Sequence, residues 1–424
     1  MKLIFFIAIT FFIPNLAFAY IDPGGLGAIF NLFIAGIVTS LFYLKSNLLI
    51  IFQNIKNFIK DLKNFIFFLK TKKSIVIYCE NSQYLKYYGT LLDNLSTDKD
   101  LDVILLIDKK NQYLNKFDRI KKIFIKTNFL KNLILSLINC EILIITTPDI
   151  GNNYVKKSNF CKHYFYIFHS VVSTQMVYNK FAFKNYDSVC CNGSYQYNEL
   201  IAEEEKYNLP RKNLIKSGYP FLDTLDRDLN KEYKRGTILV APSWNPAISD
   251  FYEKYYSKIL DDLLKGQFNV IFRSHPEYSK RFSKNFLEFK NKYSSNINII
   301  FDDGEQLFET FKKCETVITD WSGIAYEFVY SSQRYVIFNE VPVKQLNNDT
   351  INREEIFEFK YRSQVGIICK PDDDILLIVD DLRKKNKDTK ELDIFFEEKF
   401  YNLGNASDTI INNVKDILDT IRKK

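Results

Sequence analysis

Between Gln267 and Asn339 the chain alternates strand-sized apolar runs with helix-length segments, and few folds accept that alternation. Gln267 to Phe272 and then INIIFDD, ETVIT and RYVIFN are the apolar runs, each parted from the next by a stretch of helical character. Such spacing is the signature of βαβ units in a parallel sheet. Ligands of open α/β sheets sit in the crevice beyond the carboxyl ends of the strands, so the loops after the apolar runs are where chemistry is expected. Two of them stand out. Arg273-Ser274-His275-Pro276 follows Val270-Ile271-Phe272, and Thr319-Asp320-Trp321-Ser322-Gly323 follows Val317-Ile318 and opens the helical run Ile324 to Tyr330.

The pattern is repeated earlier in the chain. From Ser74 it runs SIVIY, a helix over Gln83 to Leu95, DVILLI, a helix near Phe129 to Ile138, EILIITT and HYFYIFHS. SVCCN, a helix over Gln196 to Lys206 and NLIKSGYPFLD extend it. The charged stretch Asp226 to Arg235 lacks apolar periodicity and is the expected boundary between domains. A second series opens at TILVAPSW, and the tail ends in a helix carrying Ile410, Ile411, Val414, Ile417, Leu418 and Ile421. At 424 residues the chain is long enough for two such domains and an appendage. The predicted fold class is α/β, GT-B-like: two doubly wound Rossmann-type halves, 74–225 and 236–424, with the reaction cleft between them.

The appendage comes first. Residues 1–19 combine Lys2, an apolar core and Ala17-Phe18-Ala19, which predicts either a signal peptide cleaved after Ala19 or an uncleaved first apolar span. Leu26 to Leu44 is apolar and uncharged, long enough for a transmembrane span. Lys45 to Lys73 holds seven lysines against the single acid Asp61, with Ile51, Ile55, Phe58, Ile59, Leu62, Phe65, Ile66 and Leu69 at helical spacing. The expectation for 20–73 is a membrane span followed by a basic amphipathic helix on the inner leaflet. That places the catalytic domains on the cytoplasmic face of a bacterial inner membrane. The basic excess lies beside this segment, where lipid headgroups account for it, so nucleic acid is not an expected partner. Seven cysteines at irregular spacings offer no disulfide framework and are expected to be reduced.

The chain has only three histidines, and two of them, His169 and His275, close strand-to-loop junctions. Across a two-domain cleft they would face each other as acid–base groups, since imidazole titrates near neutral pH. His163 is read as structural. Arg273 lies on the same side of the strand end as His275, where a guanidinium suits phosphate. Ser322 and Gly323 open a helix whose free N–H groups suit an anion, Asp320 ends the strand before it, and Glu327 lies one turn in. Walker A, strand-borne GxGxxG and HExxH motifs are absent from the sequence, and no DxD-like pair is placed for a nucleotide-sugar metal, so no cofactor and no metal are expected.

Taken in order, these residues resemble the CDP-glycerol glycerophosphotransferase family, whose enzymes build glycerol-phosphate polymers such as teichoic acids. Phe168-His169-Ser170 stands where the family has Trp-His-Gly, and Gly218-Tyr219-Pro220 with Asp223 is similar to its Gly-x-Pro segment. Ala241-Pro242-Ser243-Trp244 is similar to Ala-Pro-Thr-Trp, and Arg273-Ser274-His275-Pro276 matches Arg/Lys-x-His-Pro. Thr319-Asp320-Trp321-Ser322-Gly323 with Tyr326-Glu327 resembles Thr-Asp-Tyr-Ser-Ser with Phe-Asp. The resemblance implies an amino-terminal acceptor half and a carboxyl-terminal CDP-donor half. His169 and His275 would be catalytic, with Arg273, Asp320, Ser322, Gly323, Glu327, Ser243 and Gly218 binding substrate. The implied partners are CDP-glycerol or a similar CDP-alditol, a lipid-linked glycan acceptor and the membrane. The departures at Ser170, Trp321, Gly323 and Glu327 leave open a GT-B glycosyltransferase of capsule or lipopolysaccharide synthesis, or a non-catalytic scaffold of such a pathway.

Overall fold

The computed structural model describes residues 23–423, apart from 72, 152–155, 226–232, 303–306, 345–346 and 348–354. Contacts divide the chain into two compact units, residues 1–63 and 64–424.

In the first unit, the described residues belong to one helix, Pro23–Lys70. The expected change from a span to a separate amphipathic helix is missing, because nothing between Leu44 and Ile51 breaks the helical backbone. Among the described residues no helix is long and apolar enough to cross a membrane. The span expected over 26–44 is therefore not supported: the helix runs on through Lys45, Lys56, Lys60 and Lys63, which interleave charge with its apolar residues. The expected signal peptide, 1–19, lies outside the described residues.

The second unit holds two sheets. The first contains β1 (Ile75–Cys79), β2 (Val103–Ile107), β3 (Lys121–Phe124), β4 (Cys140–Ile145), β5 (Cys161–Ile167), β6 (Ser188–Cys191) and β7 (Asn213–Lys216), in the order β3-β2-β1-β4-β5-β6-β7. The second contains β8 (Thr237–Val240), β9 (Asn269–Arg273), β10 (Ile299–Asp302), β11 (Thr316–Thr319), β12 (Val336–Asn339) and β13 (Gly366–Cys369), in the order β10-β9-β8-β11-β12-β13. Neighbouring strands pair in parallel throughout, as in β1 with β4 and β8 with β11. Every residue of β1, β2, β8, β11 and β12 is buried, because helices cover both faces of a parallel sheet. This is the expected pair of doubly wound halves. Strand order reverses between β1 and β4 in one sheet and between β8 and β11 in the other, and each reversal opens a crevice at the strand ends.

Three local features depart from the expected pattern. β3 is an edge strand whose Lys121 and Lys122 mask its apolar character. The helix expected over Gln83 to Leu95 is divided into a 3-10 helix, Ser82–Tyr88, and an α-helix, Leu91–Thr97. Gly89 stands between them at φ +54°, and a Cβ there would lie 1.9 Å from the Pro220 carbonyl oxygen. The terminal helix, Ala406–Lys423, closes on the first half: Ile410, Ile411, Val414 and Leu418 join the core of β1, β2 and β4. Asp223 caps that helix, its carboxylate accepting the Ala406 N–H at 3.2 Å and the Ser407 N–H at 2.8 Å. All seven cysteines are free thiols.

Candidate active site

β5 and β9 end two residues short of His169 and His275, so each imidazole projects from the carboxyl edge of its own sheet. The His169 ring meets Tyr84 at 5.6 Å and Tyr87 at 5.9 Å, both on the 3-10 helix after β1. The His275 ring lies 6.0 Å from Trp244, on the loop after β8. The two histidines are within electrostatic reach, since each charged ring would repel the other. Burial is the larger effect. It pushes His169 down to about 4 and His275 to about 3, with Lys344 adding repulsion to both, so both rings are neutral at physiological pH.

Backbone contacts set opposite tautomers. His169 Nδ1 lies 3.0 Å from the Thr146 carbonyl oxygen, which can only accept, so Nδ1 carries the proton and Nε2 presents a lone pair. His275 Nδ1 accepts the Glu277 N–H at 3.1 Å as the cap of the short helix Pro276–Arg281, so the proton of the neutral ring sits on Nε2. One ring is ready to take a proton, and the other offers one.

The remaining candidates divide by what already holds them. Arg273 is not a free phosphate ligand: its Nε donates to Asp302 at 2.9 Å, and Nη2 reaches both Asp302 and Thr310. Its Nη1 is buried without a partner among the described residues. Asp320 is fully buried and accepts Ser243 N–H at 3.1 Å and Tyr256 O–H at 2.8 Å, so its carboxylate splints the β8 and β11 loops at the strand-order reversal. That same bond ties the backbone of Ser243. Ser322 is half-buried, its Oγ 3.5 Å from the Ile324 N–H at the start of helix Ile324–Ser332.

Glu327 is buried and accepts the Tyr219 O–H at 2.9 Å, a bond that crosses from one half to the other. Burial raises its carboxyl, and the nearby Lys86 ammonium partly offsets this.

Two of the candidate glycines are closely packed against other parts of the chain. A Cβ on Gly323 would lie 2.4 Å from Ser170 Oγ and 2.8 Å from Val171 N. Its bareness therefore lets the two halves meet beside His169. Gly218, at φ +86°, would place a Cβ 2.2 Å from the Tyr401 carbonyl oxygen; it accommodates the returning chain.

Sequence reasoning passed over Tyr84, Lys86, Tyr87, Tyr219 and Lys344. Lysine and tyrosine are common in this chain, and no local spacing marks these five as cleft residues.

A second contact between the halves carries buried acid. Ser173 donates from its N–H to Glu358 Oε1 at 2.9 Å and from Oγ to Glu199 Oε1 at 2.8 Å. Beside it, a pocket of about 300 Å³ is lined by Gln175, Asn198, Glu199, Phe357, Lys360 and Lys399, among others, and holds neither His169 nor His275. Burial pushes Glu199 up to about 7 and Glu358 to about 8. Folded-state values above the ordinary carboxyl range mean that the folded protein keeps protons the unfolded chain releases. Stability is therefore present at acidic pH and declines as pH rises from about 4.5 towards 8. Thermal unfolding across pH 5–9 will show this decline in the wild type, and a shallower one in Glu358→Gln, which mimics the protonated acid. An unchanged pH slope in that variant would remove Glu358 as its source.

A search of curated proteins finds no match to this chain. Among solved structures, the wall teichoic acid polymerase TagF, soaked with CDPG, is 14% identical over 87% of this chain and 96% of that one, with a TM-score of 0.51. The Methanocaldococcus jannaschii UDP-GlcNAc 2-epimerase, solved with UDP-GlcNAc and UDP, is 12% identical over 82% of this chain and all (100%) of that one, with a TM-score of 0.52. The S. aureus protein MnaA, solved with UDP, is 14% identical over 82% and 97%, with a TM-score of 0.50. At these identities the likeness is one of fold, GT-B-like in each case. The sequence itself matches the family described as CDP-glycerol:poly(glycerophosphate) glycerophosphotransferase over residues 63–416. With both sheets and both histidines inside that match, the chain belongs to this family and is a glycerophosphotransferase.

Proposed function

We propose that the protein transfers glycerol phosphate, or a related polyol phosphate, from a CDP-activated donor to a hydroxyl of a lipid-linked glycan or polymer, releasing CMP. The observation that carries this reading is the pair of neutral, oppositely tautomerised histidines between the halves. His169 Nε2 takes the proton of the acceptor hydroxyl as its oxygen attacks the phosphorus that bears the glycerol. The bond from that phosphorus to the bridging oxygen breaks, and its electron pair leaves on CMP. His275 Nε2–H donates to the phosphate oxygens as charge builds on the leaving group. Donors fixed in advance and aimed at developing charge supply most of the catalysis in phosphoryl transfer. Ser322 contributes a hydroxyl beside the phosphates, and Glu327 orients a polyol hydroxyl through the edge it shares with Tyr219.

An acceptor borne on lipid calls for a membrane-associated enzyme, with its catalytic unit on the cytoplasmic face of a bacterial inner membrane. The helix Pro23–Lys70 supports this, with Leu49, Phe52, Ile55 and Phe58 exposed among lysines. Exposed apolar residues interleaved with lysines suit an anionic lipid surface.

The test is CMP release by detergent-solubilised protein supplied with CDP-glycerol and a membrane-lipid extract, beside a His275→Ala control. Release by the wild type and its loss in the control are expected. No release from CDP-glycerol, but release of UDP or CMP from a nucleotide sugar, would replace this reading with a glycosyltransferase.

A further inference from the structure

The one cation that sequence reasoning assigned to the donor, Arg273, is held by Asp302 and Thr310 through its Nε and Nη2. A diphosphate in this cleft still needs positive charge around it. Two lysines, 258 positions apart, stand where that charge is wanted. Lys86 follows β1 on the 3-10 helix Ser82–Tyr88, with its ammonium 5.1 Å from the centre of the Tyr87 ring and 5.8 Å from that of Phe221. Tyr87 is the ring packed against His169. Lys344 follows β12, with its ammonium 4.3 Å from the centre of the Trp244 ring, and Trp244 is the ring packed against His275. Each half thus presents the same series of histidine, aromatic ring and lysine, and the two series come within electrostatic reach, since His169 acts on His275 and Lys344 acts on both.

From this juxtaposition we infer that Lys86 and Lys344 are the phosphate-binding cations of the site, one from each half, holding the donor's diphosphate between them. The inference rests on the transferase reading above, and adds the groups that grip the donor. Each lysine sits against apolar rings, and among the described residues neither has an ion-pair partner within bonding distance. Burial pushes both ammonium groups down to about 8, so each is a poorly solvated charge. A diphosphate would relieve that cost for both at once, and would do so only when the halves are together. The carboxylates near Lys86 are Glu327 and Asp302, with Arg273 opposing them. Glu277 and Asp320 lie near Lys344, with Arg281 opposing them. Arg273 pairs with Asp302 and Arg281 with Glu277, so two of these four carboxylates are already balanced without the lysines.

Calorimetric binding of cytidine, CMP and CDP to the full-length chain in detergent tests the assignment. In the wild type, affinity is expected to rise with each added phosphate. In Lys86→Met and Lys344→Met the affinity for CDP should fall by about tenfold to a hundredfold, as for loss of one charge-assisted contact, while cytidine binds as before. Retained cytidine binding shows that the variant is folded, and Lys86→Arg and Lys344→Arg should keep most of the phosphate preference. A CDP-to-cytidine ratio unchanged in both Met variants overturns the inference, even where CMP release from CDP-glycerol is normal. The converse, a phosphate preference lost in the variants but no CMP release from CDP-glycerol in the wild type, leaves the lysines in place and overturns the donor reading alone.

Discussion

His169→Asn will lower turnover by about 10²- to 10⁴-fold, the range that a positioned general base contributes, while the Kd for CDP-glycerol stays within about threefold of the wild-type value. The split follows from the two nitrogens of the ring. Nδ1 is bound to the Thr146 carbonyl, a bond that the asparagine amide can replace. Nε2 is the atom left to take the acceptor's proton, and asparagine has no basic counterpart to it. The lesion therefore falls on the chemical step and spares the donor, whose grip is assigned to other residues. Quenched-flow measurement of CMP release, with donor binding followed by calorimetry, separates the two. Near-normal turnover in the variant would show that another group is the base.

The same geometry sets the pH profile. His169 is held down to about 4, so the base is available throughout the neutral range and is lost only as pH falls towards that value. Lys86 and Lys344 are held down to about 8, so their charge is lost as pH rises past it. With both effects, kcat/KM should be level near neutrality and decline on either side. A profile governed by an unperturbed histidine would instead fall below about pH 6.5. Lys344→Met should remove part of the alkaline decline.

Gly323→Ala will be nearly as damaging, although it adds one methyl group outside the proposed chemistry. The new Cβ would press on Ser170 Oγ at 2.4 Å and on the Val171 backbone nitrogen at 2.8 Å. Ser170 can rotate, but Val171 N belongs to the loop that carries His169, so relief must come from moving that loop or parting the halves. Overpacking of this kind costs about 1–3 kcal/mol. A displacement of about 1 Å between catalytic groups can reduce the rate by about 10²-fold. The expected result is a large fall in kcat with cytidine affinity little changed. Adding Ser170→Ala removes only the Oγ contact, so the double variant should recover part of the lost activity, and the difference between the single and double variants measures the coupling across the interface. If Gly323 served chiefly to admit a phosphate, its alanine variant would instead lose CDP affinity, and Ser170→Ala would restore nothing.

Much of this architecture was legible without coordinates because it is written in local periodicity. SIVIY, DVILLI, TILVAPSW, ETVIT and RYVIFN became buried parallel strands, since an apolar run with helices on either side has few other ways to be buried. Strand-end loops showed where His169 and His275 would stand. Periodicity was silent where the local signal was weak or masked. KKIF carries two lysines and still forms β3, and Gly89 divides a helix because Pro220, far along the chain, approaches its backbone. The amino-terminal expectation went too far for a related reason. Among the described residues no helix is long and apolar enough to cross a membrane, and one helix carries the apolar stretch on into the lysines that follow.

The sequence by itself determined the fold class, the order of the loops that face the cleft and the family to which the chain belongs. The tertiary structure decided what each polar side chain in those loops is bonded to. Arg273 meets Asp302 across 29 positions, Ser243 meets Asp320 across 77, and Tyr219 meets Glu327 across 108. Contacts at those separations depend on strand order and on how the two halves are apposed. No local pattern encodes either of these. That is why Arg273 and Asp320, which look like free ligands in sequence, are held by neighbours in the fold. It is also why Lys86 and Lys344, ordinary lysines in sequence, come to flank the two histidines.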